Sequence, residues 1–271
     1  MASNKHAGAC QAQGMLGHFN PSKDILIANF DSKTDPDDLH SIAALGTLLA
    51  DKRLHCVNYI AVAGAYGIQS GDYIKDPALF NLAFGDNWAD ADGTARPQAV
   101  ITVADRAMAV LDKGGDIWIQ EAGQSDVSAA VIRRIQAQRP KTDTQKRIHI
   151  VQHSNWNEDQ TSPEDLAFVR ANTNYNKIAD GNATGNGTPG FNTADGADWA
   201  ALLARPVTGA IWAQAKKDAL SANAANIATG KGYNNHNIQA GGFDFSDAAE
   251  ATWIFGFNDL KNSHAFFETF K

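Results

Sequence analysis

The chain has 271 residues, with 23 Lys and Arg against 30 Asp and Glu, a net charge of −7, and 44% apolar residues. That apolar share is enough for a buried core and excludes a disordered chain, and a mild acidic surplus without basic runs excludes nucleic acid as the main partner. No apolar run approaches the roughly 18 residues that a membrane-spanning helix needs.

Only five of the acids are Glu, so 25 are Asp. Asp competes for backbone hydrogen bonds and favours turns, helix caps and metal sites, which predicts a chain rich in structured loops. Cys10 and Cys56 are too few for a disulfide framework, and they read either as one pair or as two thiols. The first 20 residues are polar and lack the apolar stretch of an intact signal peptide. A soluble protein is expected, with the compartment open between cytoplasm and a secreted form that has lost its leader. No linker, repeat or low-complexity tract divides the chain. One domain is therefore expected over residues 24–271, after an N-terminal extension over 1–23.

In chain order, residues 24–30 (DILIANF) read as a buried strand. Leu39, Ile42, Leu45, Leu48 and Leu49 then recur at helical spacing. A second strand (VNYIAVAG) lies within 54–64, and 97–111 reads as a helix with Pro in its first turn. Residues 116–121 form a third strand, followed by a helix over 125–138. Residues 147–152 form a fourth, followed by a helix over 163–170, and a fifth strand begins at 176–179. Alternating strands and helices predict an α/β fold, with a mostly parallel central sheet flanked by helices. Ligands bind such sheets at the carboxyl ends of the strands. That rule singles out loops 31–38, 64–71, 122–126 and 153–159, and the chain after 179.

The first loop holds Asp31, Asp35, Asp37 and Asp38 within eight residues. Helix capping explains one or two of them. Four clustered carboxylates repel one another and invite a hard cation, Ca²⁺ before Mg²⁺. Residues 180–195, rich in Gly and Asn, include Asn186, Phe191 and Asn192 and otherwise read as a turn-rich surface loop. Ser246-Asp247-Ala-Ala-Glu250 opens a late apolar helix, with Asp247 and Glu250 at capping-box spacing. Glu121-Ala122-Gly123-Gln124-Ser125 reads as a strand end, a glycine turn and a helix cap. His153 and Trp156 follow the fourth strand, a position for a proton donor and a stacking surface. His236 lies shortly before the late Asp, and Gly64 to Gly67, with Tyr66, follows the second strand. Trp88, Trp156 and Tyr66 are aromatics suited to stacking on a sugar.

Taken in this order, the motifs resemble those of the nucleoside hydrolases, most of all the divergent nucleoside-hydrolase-like branch that includes proteins described as cellulose-binding. The first loop, D-x-x-x-D-P-D-D, is similar to that family's D-x-D-P-G-x-D-D. The Asn186…Phe191-Asn192 segment resembles its G-N-x-T-P…E-F-N, with Gly190 where the family has Glu. Asp247 resembles its late Asp, with Ser246 in place of a His. The resemblance implies a single nucleoside-hydrolase-like, Rossmann-like domain and a Ca²⁺-dependent hydrolase of N-glycosidic bonds in nucleosides or related ribosides. The reaction would pass through an oxocarbenium-like sugar. Asp38 and Asp247, the Ala122 carbonyl and one of Asp31 and Asp35 would hold the metal. Asp35 or Asp31 would activate a Ca-bound water, and His236 or His153 would assist the departing base. Asp37, Asn186, Phe191, Asn192, Trp156 and Asp247 would contact the substrate. The implied partner is a small sugar or nucleoside, and a homo-oligomer remains open. Hydrolysis of another glycoside, or carbohydrate binding on the same scaffold, is the alternative.

Overall fold

The computed structural model describes residues 14–183, 185–195 and 197–271. Cys10 lies outside them, and so does its pairing with Cys56. The first half of the chain alternates strands and helices: β1 (Ile25–Phe30), α1 (Asp37–Ala50), β2 (Asn58–Ala63), α2 (Pro77–Phe84), β3 (Trp88–Asp90) and α3 (Arg96–Leu111). It continues with β4 (Ile117–Ala122), α4 (Asp126–Gln138), α5 (Thr144–Arg147), β5 (Ile148–Gln152), α6 (Asn155–Asp159), α7 (Pro163–Asn172) and β6 (Asn174–Lys177). The remainder is mostly helical: β7 (Asn192–Thr193), α8 (Trp199–Leu203), α9 (Gly209–Thr229), α10 (His236–Gln239), β8 (Phe243–Asp244), α11 (Ala249–Ile254) and α12 (Ser263–Thr269).

Six strands form one sheet in the order β3-β2-β1-β4-β5-β6, every pair parallel. The α/β class expected from alternation holds, with a Rossmann-like strand order. Side chains of β1 alternate between two apolar cores, as strand geometry requires. Leu26, Ala28 and Phe30 join the core under α1, α2, α9 and α11, and Ile25 and Ile27 join the core under α3 and α4. Both faces are covered, so all six β1 residues are buried. Because the chain leaves from β3 at one edge and resumes at β4 on the other side of β1, the strand order reverses between β1 and β4. A crevice opens outside the carboxyl ends at that point.

Several elements depart from the sequence reading. β3 and α2 fall within a stretch that carried no assignment. β6 begins at Asn174, two residues earlier than expected. The segment before β1, expected to be an extension, packs into the domain where it is described. Phe19 is fully buried, the His18 N–H donates to the Ile254 carbonyl at 2.9 Å, and the His18 ring stacks on Trp253 at 4.1 Å. Gly17 makes this possible: at φ +57, a Cβ there would meet the Gly256 backbone at 2.3 Å.

Candidate functional site

A cavity of about 610 Å³ opens at the crevice between β1 and β4. Asp31 follows β1, Ala122 ends β4 and His153 follows β5, and all three line the cavity. Asp35, Asp37 and Asp247 line it too, with Asn182, Trp156 and Asn157 of α6, and Lys231 to Tyr233 beyond α9. The β1–α1 loop reaches this shape through strained backbone: Ser32 and Thr34 have φ of +49 and +70, a region that non-glycine residues, and a β-branched Thr above all, seldom adopt. Asn226 of α9 holds the loop there, donating Nδ2 to the Thr34 carbonyl at 2.6 Å and to the Tyr233 carbonyl at 3.0 Å.

The carboxylates are fixed individually. Asp31 has both oxygens engaged: Oδ1 accepts from the Lys33 N–H at 2.9 Å, and Oδ2 from Gln124 Nε2 at 2.7 Å and Gln69 Nε2 at 3.2 Å. Asp35 Oδ1 accepts from the Asp37 N–H at 3.2 Å and from Asn235 Nδ2 at 3.0 Å. Asn235 Nδ2 also donates to Asp244 Oδ2 at 2.8 Å, tying two carboxylates to one amide. Asp37 Oδ1 accepts from the Asp38 N–H at 2.9 Å. Asp38 Oδ2 accepts from the Ser32 N–H, while Oδ1 is buried with no partner among the described residues. Capping accounts for little of this cluster. Pro36 occupies the cap position of α1 without a side-chain cap bond, and only single oxygens of Asp35 and Asp37 meet first-turn N–H groups.

Burial pushes the pKa values of Asp31, Asp35, Asp37, Asp38 and Asp244 above the ordinary carboxylate range. Neighbouring carboxylates add to the rise: Asp244 at Asp35, Asp247 at Asp37, and Asp31 at Asp38. Burial likewise pushes Asp247 up to about 7, opposed by His153. His153 is itself 1% exposed. Burial alone would lower it, but the carboxylates of Glu250 and Asp247 outweigh burial and hold it up at about 9. Nδ1 stands 2.8 Å from Glu250 Oε1 and Nε2 stands 3.6 Å from Asp247 Oδ1. The Nδ1 contact is at ion-pair distance without the alignment of a hydrogen bond.

The expected residues divide clearly. Asp31, Asp35, Asp37, Ala122, His153, Trp156 and Asp247 meet at the cavity; Asp38 does not line it, and one of its carboxylate oxygens accepts from the N–H of Ser32, the residue after Asp31. Asn186, Phe191, Asn192 and His236 do not line it. Phe191 is fully buried and stacks on Phe245 at 4.9 Å, so it is a core residue. Asn192 pairs with Asp244 in the β7–β8 ladder and borders a separate cavity of about 830 Å³. Asn186 is exposed, its amide spent on Asp180 and Thr188, and His236 sits at the exposed start of α10. The expected caps at Ser125 and Asp247 also fail: no side chain caps α4, and α11 starts after a 3₁₀ turn, uncapped. Sequence reasoning missed Asn182 and the pairing role of Glu250. Asn182 carried a weak signal, since it lies in the same Asn-rich segment. Glu250 carried one as well, three residues after Asp247, but that spacing suggested a cap.

The donors at the cavity are carboxylates, a strand-end carbonyl and amides, a set suited to a hard cation. The Ala122 carbonyl already accepts the Asp31 N–H at 3.1 Å and keeps a second lone pair. Among the described residues no three His, Cys, Asp or Glu side chains stand in a ready-made metal-holding group, so a cation there would have to draw the carboxylates together. The unpartnered Asp38 oxygen and the accumulation of buried like charges fit such a cation. A dinucleotide is disfavoured at the same crevice: the β1–α1 turn lacks the glycines that let backbone approach a pyrophosphate, and Asp37 and Asp38 at the start of α1 would repel it. No family model, curated protein or solved structure matches this chain.

Proposed function

We propose that the protein is a metal-dependent hydrolase of N-glycosidic bonds, acting on a nucleoside or related riboside. The observation that carries this reading is the convergence of Asp31, Asp35, Asp37 and Asp247, from distant parts of the sequence, on one cavity. The resemblance of these motifs to the nucleoside hydrolases supports it. Asp38, Asp247, the Ala122 carbonyl and one of Asp31 and Asp35 would hold Ca²⁺. When bound, the ion supplies Lewis acidity, gripping sugar hydroxyls and lowering the pKa of adjacent water. Asp35 is the freer base of the two candidates, because the described hydrogen bonds leave its Oδ2 unused whereas both oxygens of Asp31 are engaged. Asp37 and Asn182 border the cavity where sugar hydroxyls would lie. The surrounding carboxylates favour positive charge developing on the sugar as the C–N bond breaks. His153 is the histidine at the cavity wall, placed to hold a proton beside Asp247.

A second reading, hydrolysis of another glycoside or carbohydrate binding, draws on the rim. Trp156 and Tyr233 are 56% and 55% exposed there, suited to stacking on a sugar ring. Calcium-replete protein is expected to release base from a nucleoside, or nitrophenol from a nitrophenyl riboside, and Asp38→Ala is expected to abolish both turnover and calcium uptake. Absence of release across a panel of nucleosides and ribosides would overturn the first reading. Oligosaccharide binding that survives Asp38→Ala would favour the second.

A further inference from the structure

A buried ion-pair relay stands beside the carboxylate cluster. Glu250, in the first turn of α11, is completely buried, and neither carboxylate oxygen has a hydrogen-bond donor among the described residues. Uncompensated burial of a carboxylate is costly, so such groups are retained with a partner charge. The partner here is His153, whose Nδ1 lies 2.8 Å from Glu250 Oε1. The opposite ring nitrogen, Nε2, faces Asp247 Oδ1 at 3.6 Å. Carboxylates at both nitrogens hold the buried ring between Glu250 and Asp247. Asp247 is steadied from a second side, where its backbone carbonyl accepts from Gln120 Nε2 at 3.0 Å. Outer partners of this kind orient a metal-ligating carboxylate without touching the ion.

We infer that Glu250 is a positioning residue: by fixing the His153 ring it aims the Asp247 carboxylate at the cavity and so sets the affinity of the site for its cation. The inference rests on the cation-binding reading of Asp247. Calorimetric titration of the full chain with Ca²⁺ tests it. Glu250→Gln keeps the side-chain shape but removes the charge facing Nδ1, and is expected to weaken Ca²⁺ binding about 10- to 100-fold with the near-ultraviolet circular dichroism of the folded protein retained. His153→Gln is expected to weaken it similarly. In the His153→Gln background, Glu250→Gln should cost no further affinity, because the two act through one contact. A purely structural role would lower the melting temperature and leave the affinity of the folded protein intact. Unchanged affinity in Glu250→Gln, or fully additive losses in the double variant, would overturn the inference while leaving the cation site standing. If Glu250→Gln does not fold, His153→Gln alone decides it, and unchanged affinity there overturns it. A wild-type chain that takes up no Ca²⁺ removes both the cation reading and the inference built on it.

Discussion

Phe191 illustrates how burial decides a residue's role. Its place beside Asn192 resembled a substrate-contacting pair, yet it is packed between Phe245 and Phe266 with no exposed surface. Phe191→Ala is therefore expected to cost about 3–5 kcal/mol of stability, as for other buried aromatics, with ligand affinity of the folded protein unchanged. Urea unfolding and ligand titration on the same sample separate the two effects. Asp38 shows the opposite case. Its carboxylate, legible in the sequence as one of a cluster, keeps an unpartnered oxygen in the interior. Local sequence revealed which residue types were gathered in the first loop. It did not reveal whether a neighbouring Phe or Asn would turn inward or outward, because that depends on residues 243–267, remote along the chain.

At the scale of elements, legibility followed apolar contrast. β1, β2, β4 and β5 are short apolar runs bounded by polar turns, and they lie within a residue or two of where the pattern put them. β3 spans three half-buried residues, too few for a periodicity. α9 is the longest helix described, but its buried face is Ile211, Trp212, Ala215, Ala219 and Asn223, and alanines and an asparagine give weak contrast with the exposed side. Yet α9 shapes the site, because Asn226 clamps the strained β1–α1 loop. Asn226→Ala is expected to lose about 1–2 kcal/mol for the two hydrogen bonds it makes, measured by urea unfolding. An unaltered midpoint would mean that the loop holds its left-handed backbone unaided.

For the whole molecule, buried acids couple stability to pH. Glu121 of β4 lies in the core, accepting from Asn29 Nδ2 at 2.8 Å and Ser128 Oγ at 2.6 Å, and burial pushes it up to about 8. A carboxyl whose pKa rises on folding contributes stability that is fully present below its ordinary value near 4.5 and is lost as pH climbs through about 8. Between those limits stability should therefore fall with rising pH, and Glu121→Gln should flatten that part of the curve. Unfolding free energies measured from pH 5 to 8 test this, and identical slopes for the two proteins would refute it.

The docking of Phe19 and His18 against Trp253 and Phe255 closes the chain upon itself. Its consequence concerns time rather than structure. β1 pairs with β2 and β4 early in the sequence, but the contacts that seat the segment before β1, and the Asp247 and Glu250 side chains that complete the cavity, come from elements far later in the sequence. Contacts so far apart in sequence are slow to form. The sheet can assemble while the acidic cavity is still open, and the site becomes complete only when α11 and the turn before it dock against the strands that precede them.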